Sequence, residues 1–160
     1  MSAEFVIRPV VYSDLSVIHS LERVCFAVPW SEDDILFFYE ESLSEDSSVS
    51  SSLFLCAADA SGEILGYICT RRVLDEGEVL NVASAPSARR KGVGRMLMRA
   101  ALDAMFSSGA ESVYLEVRES NLPARSLYDS LGFVPVGVRR AYYRCPVEDA
   151  VVMRMDGVNR

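Results

Sequence analysis

The run Arg89-Arg90-Lys91-Gly92-Val93-Gly94-Arg95 places four cations and two glycines directly ahead of a stretch with helical apolar spacing. Glycine lets the backbone approach a ligand closely, and the free N–H groups at a helix start, helped by the helix dipole, hold anions. Cations on either side add charge that balances phosphate oxygens. A helix start that merely faces water ordinarily carries acids rather than cations, so plain solvation explains this run less well. It lacks the third glycine and the later acid of a dinucleotide fingerprint, and no G-x-x-x-x-G-K-[ST] is present. The remaining reading is a phosphate-bearing ligand held where a strand, containing Val82, Ala83 and Ser84, turns into a helix.

Two carboxylates and a phenol are placed to move protons. Along Ser112–Arg118, Val113, Leu115 and Val117 alternate with Tyr114, Glu116 and Arg118, so one face is apolar and the other carries Glu116. Glutamate is disfavoured in strands, which leaves Glu116 either as a general base or as an exposed neighbour of Arg118. Glu78, opening the strand before the basic turn, is the competing carboxylate. Tyr128 lies beside Leu127 and Leu131 and either packs in the core or uses its hydroxyl.

The elements that must position these groups follow from periodicity. Glu4–Val10 predicts a short edge strand ending at Pro9; Ser13 caps a helix carrying Leu15, Ile18, Leu21, Val24 and Cys25. Ser31 with Glu32, Asp33 and Asp34 starts a second helix, and residues 42–52, rich in serine, read as a loop. Leu53–Asp59 and Glu63–Val73, around Ser61-Gly62, predict a hairpin, with Glu78–Ser84 as the next strand of an antiparallel meander. Val93 to Met105 is the main helix with Gly109 beyond it; Glu111–Arg118 is a strand, and Pro123–Leu131 is a helix followed by Gly132. Phe133–Arg139 and Asp149–Met155 close the set as strands. The order is strand, two helices, three strands, helix, strand, helix, two strands, an α+β chain expected to form a single domain over 1–160.

The pattern Arg89-x-x-Gly92-x-Gly94 after a strand and before a long helix resembles the [QR]-x-x-G-x-[GA] signature of the GNAT acetyltransferase superfamily. Leu115–Phe133 resembles the second half of that fold. Pro29-Trp30-Ser31, Arg139-Arg140-Ala141-Tyr142-Tyr143 and Glu148-Asp149-Ala150-Val151-Val152-Met153 are similar to one branch, the bacterial ribosomal-protein alanine N-acetyltransferases. The resemblance implies an acyl-CoA N-acyltransferase fold: a mostly antiparallel twisted sheet of six or seven strands flanked by about four helices. It implies acetyl-CoA as cosubstrate, its pantetheine arm along Val82–Ser84 and its pyrophosphate on the backbone N–H groups from Arg90 through Arg95. It implies direct attack by a protein N-terminal amine, an alanine of a small-subunit ribosomal protein, with Glu116 as base and Tyr128 as the acid that protonates the thiolate. Asn121 is implied as a hydrogen-bonding partner of CoA or a linking water, a residue that otherwise simply starts a helix. Trp30, Tyr142 and Tyr143 are implied on the acceptor side, where the alternative is ordinary buried aromatics. Arg89 stands where the family often has glutamine, and Ser84-Ala85 where the branch has an aliphatic residue and an aspartate.

Composition bounds the partners. Half of the 160 residues are hydrophobic and 24% are charged, a globular balance, and no apolar run approaches the roughly 20 residues of a membrane span. The N-terminal MSAEFVIRPV lacks the order of a signal sequence, so a cytoplasmic location is expected. A net charge of −7 argues against nucleic acid as partner. Between Val24 and Thr70 there are nine acids and no Lys or Arg, either a solvated face or a field that gathers cationic substrates. Four scattered cysteines and a single histidine argue against a metal site or a disulfide framework.

Overall fold

A computed structural model describes residues 4–46 and 48–157. Seven strands, β1 (Phe5–Pro9), β2 (Ser50–Asp59), β3 (Ile64–Val73), β4 (Glu76–Ser84), β5 (Ser112–Arg118), β6 (Val134–Tyr143) and β7 (Glu148–Asp156), make one sheet in the order β1-β2-β3-β4-β5-β7-β6. Every neighbouring pair is antiparallel except β4 and β5. Four helices flank the sheet: α1 (Leu15–Cys25), α2 (Glu32–Ser42), α3 (Val93–Ser107) and α4 (Leu122–Leu131). The element order and the α+β class are those expected.

Side-chain alternation divides the sheet into two faces. On one, Leu55, Ile68, Val79, Leu115 and Met153 pack against Leu97, Met98, Ala101 and Met105 of α3 and against Tyr128 of α4. On the other, Phe54, Cys56, Tyr67, Cys69 and Ala83 pack beneath Ile18 of α1 and Ile35 of α2. Each fully buried large aliphatic contributes about 1.5–3 kcal/mol. The helical hairpin spans only the β2–β4 half of its face, which leaves Glu78, Tyr114, Glu116 and Val152 lining an open cleft beside it.

Local chemistry explains most boundaries. Ser31 Oγ accepts from the Asp34 N–H at 3.1 Å while Asp34 Oδ2 accepts from the Ser31 N–H at 2.9 Å, a reciprocal cap at the start of α2. Gly109 and Gly132 take the left-handed conformation beyond α3 and α4, as expected of glycines past a helix end.

Three expectations are corrected. Ser13 does not cap α1; the chain enters through a short 3-10 turn, Tyr12–Asp14, and Asp14 instead accepts from the Val11 N–H and pairs with Arg8 at 2.7 Å. Ser50–Ser52 belong to β2 rather than to a loop, because they pair with Val73, Arg72 and Arg71 of β3 and strand pairing outweighs their weak propensity. Finally, β6 continues past Arg139 to Tyr143 through a bulge in its pairing with β7.

Gly66 in β3 is required by a close approach: a Cβ there would lie 2.6 Å from the Ala83 carbonyl oxygen and 2.9 Å from Val93 Cγ1. The start of α3 thus rests on the sheet at this point. Gly66→Ala is expected to destabilise the protein by about 1–3 kcal/mol, read as a lower midpoint in thermal unfolding.

Candidate active site

The sheet comes apart in its middle. β4 and β5 pair only through Glu76–Ser112, Gly77–Val113 and Glu78–Tyr114. Beyond that, β5 stays bonded to β7 and β4 to β3, so Val79–Ser84 turns an unpaired edge toward the gap. The register of β4 on β3 jumps from Asn81–Cys69 to Val79–Thr70, which leaves Leu80 as an extra, bulged residue at the head of that edge. Val82 and Ala83 pack their side chains against the two opposite cores and Ser84 is half-buried, so this edge can offer a ligand mainly its backbone.

The basic turn closes one end of the gap. Arg90 and Gly92 both have positive φ, 65° and 83°, and this left-handed backbone leads directly into α3. Among the described residues, no hydrogen bond is donated by the N–H groups of Gly92, Val93, Gly94 or Arg95, and no carboxylate lies within ion-pair distance of Arg89, Arg90, Lys91 or Arg95. Open donors and uncompensated cations at one helix start fit a pyrophosphate. A Cβ at Gly92 would meet nothing within 4 Å, so open space lies beside the turn. The Val93 side chain is buried in the core and only its backbone serves the turn. Arg95 bonds Ser130 of α4 at 2.8 Å, and Asn121 caps α4 by accepting from the Ala124 N–H at 3.3 Å, leaving its NH₂ free to donate.

On the open half-face, a cleft of about 380 Å³ is lined by Arg71, Glu76, Glu78, Tyr114, Glu116, Arg139 and Val152, among others. Glu116, with a side chain only 16% exposed, is paired with Arg139 Nε at 3.1 Å. Glu78 faces Arg71 at 4.0 Å, and burial followed by the nearby Glu116 holds its carboxyl above the usual range. The structure therefore brings the two predicted carboxylates into one cleft. Arg71 and Arg139 were not foreseen as site residues; Arg139 heads the Arg-Arg-Ala-Tyr-Tyr run, which was the available signal.

The remaining candidates lie outside the lining of that cleft. The β6 bulge, where Ala141 has φ 50° and donates its N–H to Asp149 Oδ1 at 2.8 Å, sets Tyr142 and Tyr143 edge to face at 5.0 Å. Arg118, also unforeseen, stacks on Tyr143 at 4.5 Å and binds Glu148 and the carbonyls of Arg144 and Pro146, tying β5 to the β6–β7 turn. Burial, then Tyr142 and Glu116, push Tyr143 up to about 12. Trp30 stacks on Phe38 at 4.6 Å on the α1–α2 side and is not among the residues lining the carboxylate cleft. Tyr128 lies on the other face of the sheet, 6.0 Å from Phe133, and burial pushes its phenol up to about 12, so it stays a protonated donor at neutral pH. The core reading of the Tyr128 ring is met, and its hydroxyl makes no hydrogen bond among the described residues.

Among the described residues, no three His, Cys, Asp or Glu side chains gather as a metal site, and no helix is long and apolar enough to cross a membrane. A sheet split between two parallel strands, with an anion-holding helix start at the gap and a carboxylate cleft beside it, is the architecture of an acyl-CoA-dependent N-acyltransferase. The acetyltransferase (GNAT) family matches residues 15–133. The [ribosomal protein bS18]-alanine N-acetyltransferase of Salmonella typhimurium is 35% identical over 145 residues, 89% of this chain and 91% of that protein. An N-alpha-acetyltransferase of Sulfurisphaera tokodaii is 36% identical over 163 residues, 94% and 92% of the two chains. The crystal structure of the ribosomal-protein-S18-alanine N-acetyltransferase from Escherichia coli superposes with a TM-score of 0.81 at 31% identity, covering 98% of this chain and 99% of that one. The chain belongs to the GNAT acetyltransferase family and is an N-acetyltransferase.

Glu78 gives a pH test. Its folded carboxyl is raised, so the folded state holds this proton more tightly than the unfolded chain. The stability it contributes is therefore present below the ordinary carboxylate range and lost as pH rises through the folded value. Glu78→Gln is expected to melt above the wild type at pH 7, with the difference fading toward pH 4; a constant difference across that range, measured by calorimetry, contradicts the assignment.

Proposed function

We propose that this enzyme transfers the acetyl group of acetyl-CoA to the α-amine of a protein N-terminus, an N-terminal alanine of a ribosomal protein, by direct attack. The reading rests chiefly on one observation: Glu78 and Glu116 line a cleft that opens beside the unpaired edge of β4. The names of the Salmonella and Escherichia coli relatives, alike over most of both chains, support the acceptor.

Acetyl-CoA, when bound, supplies the activated thioester. The N–H groups of Arg90 and of Gly92 through Arg95 hold its pyrophosphate, that of Lys91 already donating to the Ala88 carbonyl at 3.4 Å, with Arg89, Arg90, Lys91 and Arg95 neutralising charge, and the Val82–Ser84 edge receives the pantetheine arm. The NH₂ of Asn121 donates to the same ligand. Glu116 takes the proton of the attacking amine, directly or through water. An α-amine near 7.7–8.0 needs far less help from a carboxylate than a lysine near 10.4, which favours an N-terminal acceptor. Arg139 holds the Glu116 carboxylate in an ion pair, and Glu78, its carboxyl raised by burial and then by the nearby Glu116, is a stronger proton acceptor than an ordinary carboxylate once ionised. Trp30, Tyr142 and Tyr143 border the acceptor.

The role first given to Tyr128 changes. Complete transfer from a phenol near 12 to a thiolate whose thiol is near 8.5 runs uphill. Tyr128 keeps its proton and acts as a hydrogen-bond donor to the CoA thiolate, which leaves as the new N–C bond forms and the amine proton passes to the carboxylate. The domain spans the whole chain in this reading, 1–160.

The test is thiol release with peptides beginning in alanine, set against N-terminally blocked peptides containing lysine. Turnover is expected on the first set; turnover confined to the blocked set defeats the proposal and favours a lysine or small-amine acceptor. Glu116→Gln is expected to lower kcat by about 10²–10⁴-fold with CoA affinity retained, since general-base catalysis contributes on that scale. Tyr128→Phe should also retain CoA affinity while slowing turnover, and a wild-type rate across the pH profile would remove its hydroxyl from the reaction.

A further inference from the structure

The most deeply buried carboxylate among the described residues is that of Glu22 in α1, with no exposed surface. Its spacing is that of a core position, four residues after Ile18 and three before Cys25, where an apolar side chain is expected. No cation pairs with it among the described residues. Instead, Oε1 accepts from Tyr67 Oη at 2.5 Å and from the Asn81 side-chain NH₂, and Oε2 accepts from the Trp30 N–H at 2.8 Å. An unpaired buried carboxylate is expensive unless its oxygens are fully engaged, and three donors from three segments engage this one.

Those segments matter for where the two halves of the site meet. Asn81 immediately follows the bulged Leu80, at the head of the unpaired β4 edge. Trp30 stands in the connection between α1 and α2, and Cys25, the last residue of α1, touches that edge at its far end, where its Sγ donates to the Ser84 carbonyl at 3.5 Å. Tyr67, from β3, reaches Glu22 from below without belonging to either half.

We propose that Glu22 is a positioning residue, its carboxylate registering the acceptor-side loop at Trp30 against the cofactor-side bulge of β4 at Asn81. One oxygen serves the loop alone and the other serves the sheet. A small slip between these halves separates amine from thioester, and misplacements of about 1 Å cost up to roughly 10²-fold in rate. The functional part of this inference rests on the reading that the Trp30 side takes the acceptor.

Trp30 is the single tryptophan of the chain, so its emission reports the loop directly and needs no acceptor. In Glu22→Gln the amide keeps its oxygen toward the two sheet donors and turns NH₂ onto the Trp30 N–H, breaking the loop link alone. The expected result is red-shifted emission, greater quenching by acrylamide, CoA affinity retained, and a loss in kcat/KM of about 10–100-fold carried largely by acceptor KM. Asn81→Ala breaks the sheet link: wild-type emission and acceptor KM with lowered kcat. Tyr67→Phe touches neither link and should keep near-wild-type emission and kcat/KM despite some loss of thermal stability.

Wild-type emission in folded Glu22→Gln overturns the proposal, as does a parallel fall of all three variants in step with their melting temperatures, the mark of a merely structural role. Should Glu22→Gln not fold, Asn81→Ala against Tyr67→Phe decides by the same kcat contrast, equal effects refuting it. If the wild type shows no turnover on N-terminal peptides, the acceptor reading fails, while emission in Glu22→Gln still tests whether Glu22 holds the loop.

Discussion

Backbone hydrogen bonding is the constraint on which the structure turns. A strand in mid-sheet must satisfy N–H and C=O groups on both edges, yet β4 meets β5 for only three residue pairs and then leaves one edge open. Both neighbours are held elsewhere: β5 is paired along its whole length with β7, and β4 with β3. The two strands therefore diverge while each stays paired on its other edge. Everything chemical gathers there. The start of α3 presents its free donors at one end, and the carboxylates line the half-face that no helix covers.

Much of this was legible in the residues. Apolar spacing gave the order of the elements, because each helix and strand buries one face and the alternation shows which. The turn was legible because cations and glycines together at a helix start are uncommon, and its left-handed backbone leads into α3 as expected. Glu116 was readable from a strand that tolerates it poorly. What was hidden arises between segments distant in sequence. The Glu116–Arg139 pair depends on a bulge in β6, and bulges leave no periodic trace. Ser50–Ser52 look like a loop until Arg71, Arg72 and Val73 are placed opposite them. Glu22 was visible only as an acid in an apolar position, a signal that gains meaning once Tyr67, Asn81 and Trp30 converge on it.

The site separates its electrostatic work across the sheet. The cationic turn lies at the gap, and the cleft carries two carboxylates each facing a guanidinium, Glu78 with Arg71 and Glu116 with Arg139, so its negative charge is balanced. Tyr128 approaches from the opposite, apolar side, where burial keeps its proton in place. Tyr143 is held between the Arg118 guanidinium and the Tyr142 ring.

The outermost strand, β6, has a different consequence. Val134, Val136 and Val138 are all more than half exposed at the margin of the sheet, the composition of a surface that invites another strand to add. Yet Pro135 removes a donor, Gly137 loosens the strand, and the bulge before Tyr143 breaks its flatness beside Arg139 and Arg140. Such irregularities make an edge a poor template for further pairing. The bulge between Pro135 and Gly137, which turns Arg139 onto the face of Glu116, therefore also guards a half-exposed apolar margin against fibrous self-association, and straightening it to improve local order would cost solubility as well as that ion pair.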